Sequence, residues 1–197
     1  MDFIQQIDDK ILYFIEGNLH GGFLDYFFSA INFLMIGGGI WIALGIAMLF
    51  SKKWRLTGAL LIFTLAVSAL VGNVVLKNLL FERIRPFNAD PSIKLLIPIP
   101  TGEYSFPSCH ALTCAASGTA LFIRKKAAGV AGLIFALLVS LSRIFFAVHY
   151  FSDIIAGFAF GIIFALIIHK FFINVLDNLI KKAEKKFTRK VEMPLGR

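Results

Sequence analysis

The chain has 197 residues, of which 58% are hydrophobic and only 16% charged, with 22 Phe. That composition excludes an ordinary soluble domain and places the chain in a lipid bilayer. Its net charge of +8 is therefore read by position, because the cytoplasmic loops of membrane proteins retain Lys and Arg; no nucleic-acid partner is expected.

Residues 1–20 predict an amphipathic helix in the membrane interface. Phe3, Ile4, Ile7, Ile11, Leu12, Phe14 and Ile15 recur at helical spacing, while Gln5, Gln6, Asp8, Asp9 and Lys10 take the other side. This segment has no basic start and no small-residue cleavage site, so it is not read as a signal peptide and the chain is expected to be used whole. Phe23 to Phe50 is apolar but interrupted by Gly37, Gly38 and Gly39, which fits either one bent span or a short helix followed by a second. Thr57 to Leu76 is long enough to cross the hydrocarbon core.

Arg85 to Pro107 carries Pro86, Pro91, Pro98, Pro100 and Pro107 and is a loop. Three further spans follow, about Ser108–Ile123, Ala127–Ser142 and Tyr150–Ile168. Residues 174–197 form a basic tail that faces solvent or headgroups, with Lys181, Lys182, Lys185, Lys186, Arg189 and Lys190. The expectation is an all-α, polytopic membrane bundle of about five or six transmembrane helices, in one domain without internal repeats. Cys109 and Cys114 fall on different faces of one helix, and no disulfide between them is expected.

Orientation follows from the short connections. Lys52, Lys53 and Arg55, then Arg124, Lys125 and Lys126, then the basic tail alternate consistently if all three are cytoplasmic. The remaining connections then face outward, and the polar residues suited to chemistry lie beside them. These are Lys77, Arg83 and Arg85 after one span, Ser108 and His110 at the start of the next, Arg143 at the end of another, and His149 with Asp153 opening the last. Any one cation at a helix end reads as a snorkelling anchor, and Arg83 fits that role best. The set reads as an anion site, because outward ends are not where Lys and Arg are favoured as anchors.

Phosphate is the simplest such anion, since Arg offers bidentate donors, Lys a point charge, and the helix start at Pro107-Ser108-Cys109-His110 free N–H groups. His149 and Asp153 are four residues apart on one helix face, so the carboxylate can hold one ring nitrogen and leave the other free to attack. His110 is then available as the acid. A metal bound by the histidines and the carboxylate would be repelled by the surrounding cations, so neither metal nor other cofactor is expected. Ser108 as a serine-hydrolase nucleophile and Cys109 as a thiol nucleophile are set aside, because close neighbours along a helix do not face one another. His20 and His169 have no evident polar company and receive no role. A non-catalytic carrier of anions or phosphorylated lipids would need the cations, but not a second imidazole and its oriented partner.

At these residues the chain resembles the type-2 phosphatidic acid phosphatase family, whose fold and site are shared with vanadium haloperoxidases and bacterial acid phosphatases. The likeness runs from about Lys77 to Asp153. Ser142, Arg143, His149 and Asp153 match one family motif in full. Pro107-Ser108-Cys109-His110 matches a second with Cys109 in place of Gly, a change that keeps the backbone N–H. In the third, seven residues rather than six separate Lys77 from Arg85-Pro86, which turns Lys77 by about 100° on a regular helix. Either a helix bulge restores its aim or its role has passed elsewhere. The resemblance implies that His149 attacks phosphorus, Asp153 orients it, and His110 protonates the leaving oxygen. It also implies that Lys77, Arg85, Ser108, the Cys109 N–H and Arg143 hold the phosphate. The implied substrates are phosphatidate, phosphatidylglycerophosphate or an isoprenyl diphosphate such as undecaprenyl diphosphate. The implied setting is a bacterial cytoplasmic membrane with the site on its non-cytoplasmic side.

Overall fold

The computed structural model describes residues 3–98 and 104–192. The middle of the Pro-rich loop, with Pro100, and the last residues of the basic tail lie outside the described residues. Among the described residues eight α-helices follow in order: α1 Phe3–Asn18, α2 Phe23–Leu34, α3 Gly39–Leu49, α4 Arg55–Leu70, α5 Pro86–Ala89, α6 Cys109–Arg124, α7 Lys126–Phe145 and α8 Phe151–Glu192. Among the described residues the only β-type pairing is a single bridge between Ile84 and Tyr104.

The question left open at Phe23–Phe50 turns on two glycines. Gly37 and Gly38 sit at φ of 59° and 73°, the left-handed region that L side chains avoid, and the chain passes through a short 3-10 turn there. The resulting bend between α2 and α3 is 43°. Each piece, of 12 and 11 residues, is less than about 20 Å long and too short to cross alone; only together are they long and apolar enough, as one broken span or a re-entrant pair. Three other helices are long and apolar enough to cross a membrane: Arg55–Lys77, Lys126–Phe145 and Phe151–Lys186. The last continues well past Ile168, the end expected from the sequence, because Phe171, Phe172, Ile173, Val175 and Leu176 carry the apolar pattern on and Lys181 is bonded to Asp177 at 2.6 Å beyond them.

α6 is the centre of the bundle, packed against α4, α7 and α8. Every residue from Ala111 to Leu121 is buried, and most are small. Small residues let helices touch in lipid, where no hydrophobic force drives them together. A Cβ on Gly157 or Gly161 of α8 would sit 2.5 Å from the Ser108 carbonyl or 2.3 Å from the Leu112 carbonyl. The glycines therefore set the α6–α8 distance, and with it the spacing between His110 in the first turn of α6 and His149, which stands just before α8.

The ends of the bundle differ in kind. At one end the basic connections come together: Lys125 Nζ lies 5.0 Å from the Trp54 ring centroid, Lys53 5.9 Å from it, and Arg55 pairs with Glu184 of α8. At the other end α1 lies across the helix ends, with Phe3, Ile4 and Phe14 exposed on one side. It is fastened by Leu12, which packs with Ile93, Ala147 and Tyr150, and by Tyr13, whose hydroxyl donates to Asp90 at 2.8 Å. Hydrogen bonds from Ser92 and then from Tyr13 hold the Asp90 carboxyl below the usual carboxylate range. His20, which the sequence left without polar neighbours, lies between Asp25 at 3.0 Å and Glu16 at 3.3 Å, because the chain turns back at Gly21.

Candidate active site

Lys77 is brought to the site by a change of helix type. From Val71 to Leu80 the chain is wound as a π-helix, and Phe81 N–H donates to the Leu76 carbonyl five residues back at 3.1 Å. A wider turn absorbs the additional residue between Lys77 and Arg85. Lys77 is 7% exposed, and its ammonium lies in the fields of Arg85, Arg143, Asp153 and Cys109. Gly72 of the same segment faces Cys109, whose Sγ would lie 3.3 Å from a Cβ placed there. The Cys in the Gly position of its motif is thus accommodated by a Gly on the opposite element.

Arg85 precedes the short α5 and is 4% exposed; its Nη1 donates to the Val148 carbonyl at 2.8 Å and lies 3.4 Å from His149 Nε2. Arg143, in the last turn of α7, is 3% exposed and donates from Nη1 to Asn32 Oδ1 of α2. Its Nε–H is buried without a partner, a donor left for an incoming acceptor. Ser108 caps α6: its Oγ accepts from Ala111 N–H at 3.4 Å, and it is fully buried. Cys109 and His110 follow in the first turn, half-buried, with His110 in the fields of Arg143, His149, Lys77 and Arg85.

His149 and Asp153 are both buried. Nδ1 of the imidazole lies 3.5 Å from Asp153 Oδ2, near the expected orienting contact but without a hydrogen bond, and Nδ1 is buried with no other partner among the described residues. Catalytic bonds are often this long before substrate tightens them. The carboxylate's shorter bonds go elsewhere: Oδ2 accepts from Tyr150 N–H at 2.8 Å, and Oδ1 from Arg83 Nη1 at 2.7 Å. Arg83 is therefore not a snorkelling anchor. Its guanidinium turns inward, to the buried carboxylates of Asp8 and Asp153.

All eight residues singled out from the sequence gather at one end of the bundle. Among the partners the sequence reading missed are Asn32 and Asp8. Asn32 carried a signal, being the single carboxamide in an apolar span. Asp8 carried none that separates it from its polar neighbours on α1, yet it is 1% exposed and paired with Arg83 at 2.7 Å. The cations crowd His149, and among the described residues no three His, Cys, Asp or Glu side chains come together as a metal ligand set.

This architecture, a helical membrane bundle with buried cations and a His–Asp pair at one end, is that of a membrane phosphatase fold. The chain superposes on the transmembrane PAP2-type phosphatidylglycerolphosphate phosphatase of Bacillus subtilis with a TM-score of 0.67 at 22% identity, over 87% of each chain. A profile of the PAP2 superfamily matches residues 57–176, and the chain belongs to that superfamily. Among its relatives are an undecaprenyl-diphosphatase of Sulfolobus acidocaldarius, 34% identical over 62% of this chain and 58% of its own length. Another is a lipid A 4'-phosphatase of Bacteroides thetaiotaomicron, 29% identical over 82% of this chain and 75% of its own. The chain thus matches a little over half of the archaeal relative.

Proposed function

We propose that the chain is an integral membrane lipid phosphatase that cleaves the phosphate monoester or diphosphate of a membrane lipid through a phosphohistidine. The observation that carries this reading is the convergence of three buried cations, Lys77, Arg85 and Arg143, on two imidazoles, one of which has Asp153 beside it. The cations neutralise the phosphoryl oxygens, with the N–H groups of the α6 start and the Ser108 hydroxyl as further donors. His149 Nε2, on the Arg85 side of the ring, attacks phosphorus. His110 gives its proton to the departing oxygen, then takes one from the water that releases phosphate. Charge is handled by side chains, so the reaction needs no divalent metal.

The substrate is drawn from the lipid phosphates and diphosphates on which the relatives are named to act: an isoprenyl diphosphate, a lipid A phosphate or phosphatidylglycerophosphate, with phosphatidate as a further member of the class. The site faces away from the cytoplasm, since the basic connections gather at the opposite end of the bundle. The test is phosphate release by purified protein in detergent, with these substrates offered side by side in excess EDTA. Turnover of at least one, unchanged by EDTA, is expected. Turnover that vanishes with EDTA and returns with a metal contradicts the mechanism, and binding without turnover of any of them contradicts the enzyme reading.

A further inference from the structure

Arg83 has no place in the phosphate-binding set, yet it is one of the most heavily bonded side chains in the molecule. Nη1 donates to Asp153 Oδ1 and to Ser152 Oγ, both at 2.7 Å. Nη2 donates to Asp8 Oδ2 and to Gln5 Oε1, again at 2.7 Å. The guanidinium carbon lies 3.9 Å from the centroid of the Tyr150 ring, so its plane is fixed as well as its edges. Asp8 in turn accepts from Ser152 N–H at 2.8 Å and from the Ser152 hydroxyl, at the first turn of α8. Three elements that are far apart in sequence are locked around one carboxylate: α1, the loop before Arg85, and the start of α8.

The lock has a consequence for His149. A carboxylate beside a half-formed contact of 3.5 Å can rotate or swing away. With Oδ1 tied to Arg83 and Oδ2 to the Tyr150 N–H, it cannot, and Oδ2 stays within 3.5 Å of Nδ1, which is buried and makes no other hydrogen bond among the described residues. We infer that Arg83 and Asp8 are positioning residues for the reaction, a relay in which α1 holds Arg83 and Arg83 holds Asp153 against His149. This rests on the reading of His149 as the nucleophile. It gives α1 a task beyond membrane attachment: its exposed apolar side is the interfacial face, while its buried Asp8 sets the geometry of the catalytic pair.

Kinetics separate this from phosphate binding and from mere folding. Arg83→Gln, Arg83→Lys, Asp8→Asn, Asp8→Glu and the double variant D8N/R83Q are compared with wild type. The substrate is whichever of phosphatidate, phosphatidylglycerophosphate or undecaprenyl diphosphate the EDTA assay turns over fastest, and inorganic phosphate serves as the inhibitor. Arg83→Gln is expected to lower kcat by about 10- to 100-fold, the range for loss of an outer partner that orients a reacting group, with KM and phosphate inhibition within about threefold of wild type. Asp8→Asn is expected to give a smaller loss of the same kind, and the double variant no greater loss than Arg83→Gln alone, since both act through one contact. Arg83→Lys and Asp8→Glu, which keep the charges, should recover part of the loss. A kcat within about twofold of wild type in Arg83→Gln, a loss confined to KM and phosphate affinity, or multiplicative losses in the double variant would each overturn the relay. If the neutral variants fail to fold, the decision falls to the charge-keeping pair, where a pure KM effect or full wild-type kcat overturns it. His149→Ala is run alongside: retained turnover there sinks the nucleophile assignment itself, whatever Arg83 does.

Discussion

The two ends of the bundle carry the same residue types and use them differently. At the basic end Arg55 and Glu184 pair while partly open to solvent, and Lys125 rests over the Trp54 ring. At the opposite end Lys77, Arg85 and Arg143 are 7, 4 and 3% exposed, and Lys77 and Arg143 have no carboxylate partner among the described residues. Exposed cations cost little to keep and act through the membrane field. Buried ones carry a desolvation cost of several kcal/mol each, which a structure retains when an anion is to be met there. Burial and company, not residue type, separate anchor from site.

That contrast can be pushed hardest at His149. His149→Ala should lower turnover by about a thousandfold or more, as loss of a nucleophile does, measured as phosphate release by protein whose melting temperature in detergent is unchanged. Lys77→Ala is the next largest, expected to lower kcat/KM by about 100-fold if it holds phosphate as proposed, because it is buried on the π-helical segment in the fields of Arg85 and Arg143. An effect within about threefold, under about 1 kcal/mol, would remove Lys77 from the site.

A smaller effect sharpens the account of the π-helical segment. Gly72→Ala places a Cβ 3.3 Å from both Cys109 Sγ and Leu112 Cδ1 and should lower activity by about three- to tenfold, the Leu112 part of which remains when Cys109 is removed. In a Cys109→Gly background, which itself should keep most activity, the same change should cost less; a double-mutant cycle in kcat/KM measures the difference. Equal losses in the two backgrounds would show that the two positions are not coupled. At the basic end Lys125→Ala should leave kcat/KM within about twofold. Lys125 also serves as a topology reporter: in a background lacking reactive cysteines, a Cys at Ser92 should react with an impermeant reagent on intact cells and one at Lys125 should not.

Much of this was legible in the sequence. Helix positions followed from apolar runs and Pro punctuation, and His110, Arg143, His149 and Asp153 from their places at helix ends and their spacing. What was hidden depended on contacts between distant elements. Asp8 and Arg83 are 75 positions apart, and the periodicity that makes α1 amphipathic assigns Asp8 to water without saying which polar residue turns inward. Both Asp8 and Asn32 also lie before residue 57, where the superfamily match begins, although their partners Arg83 and Arg143 lie within it. The spacing anomaly at Lys77 was visible. Its resolution was not, because the apolar pattern of the segment does not separate bonds four residues back from bonds five residues back. The far end of α8 was hidden for a simpler reason: hydropathy marks where a span ends, and a charged helix can continue in solvent.

The most direct test of the central claim is to trap the phosphoryl group on the enzyme. Protein mixed with phosphorus-radiolabelled lipid substrate is quenched within milliseconds in alkaline denaturant, and label is followed by gel and by peptide mapping. A phosphoprotein stable to base and labile to acid is expected, with the label on the peptide carrying His149 and absent from His149→Ala. Label on Cys109 or Ser108, or rapid turnover in wild type with no labelled protein at any quench time, would contradict it.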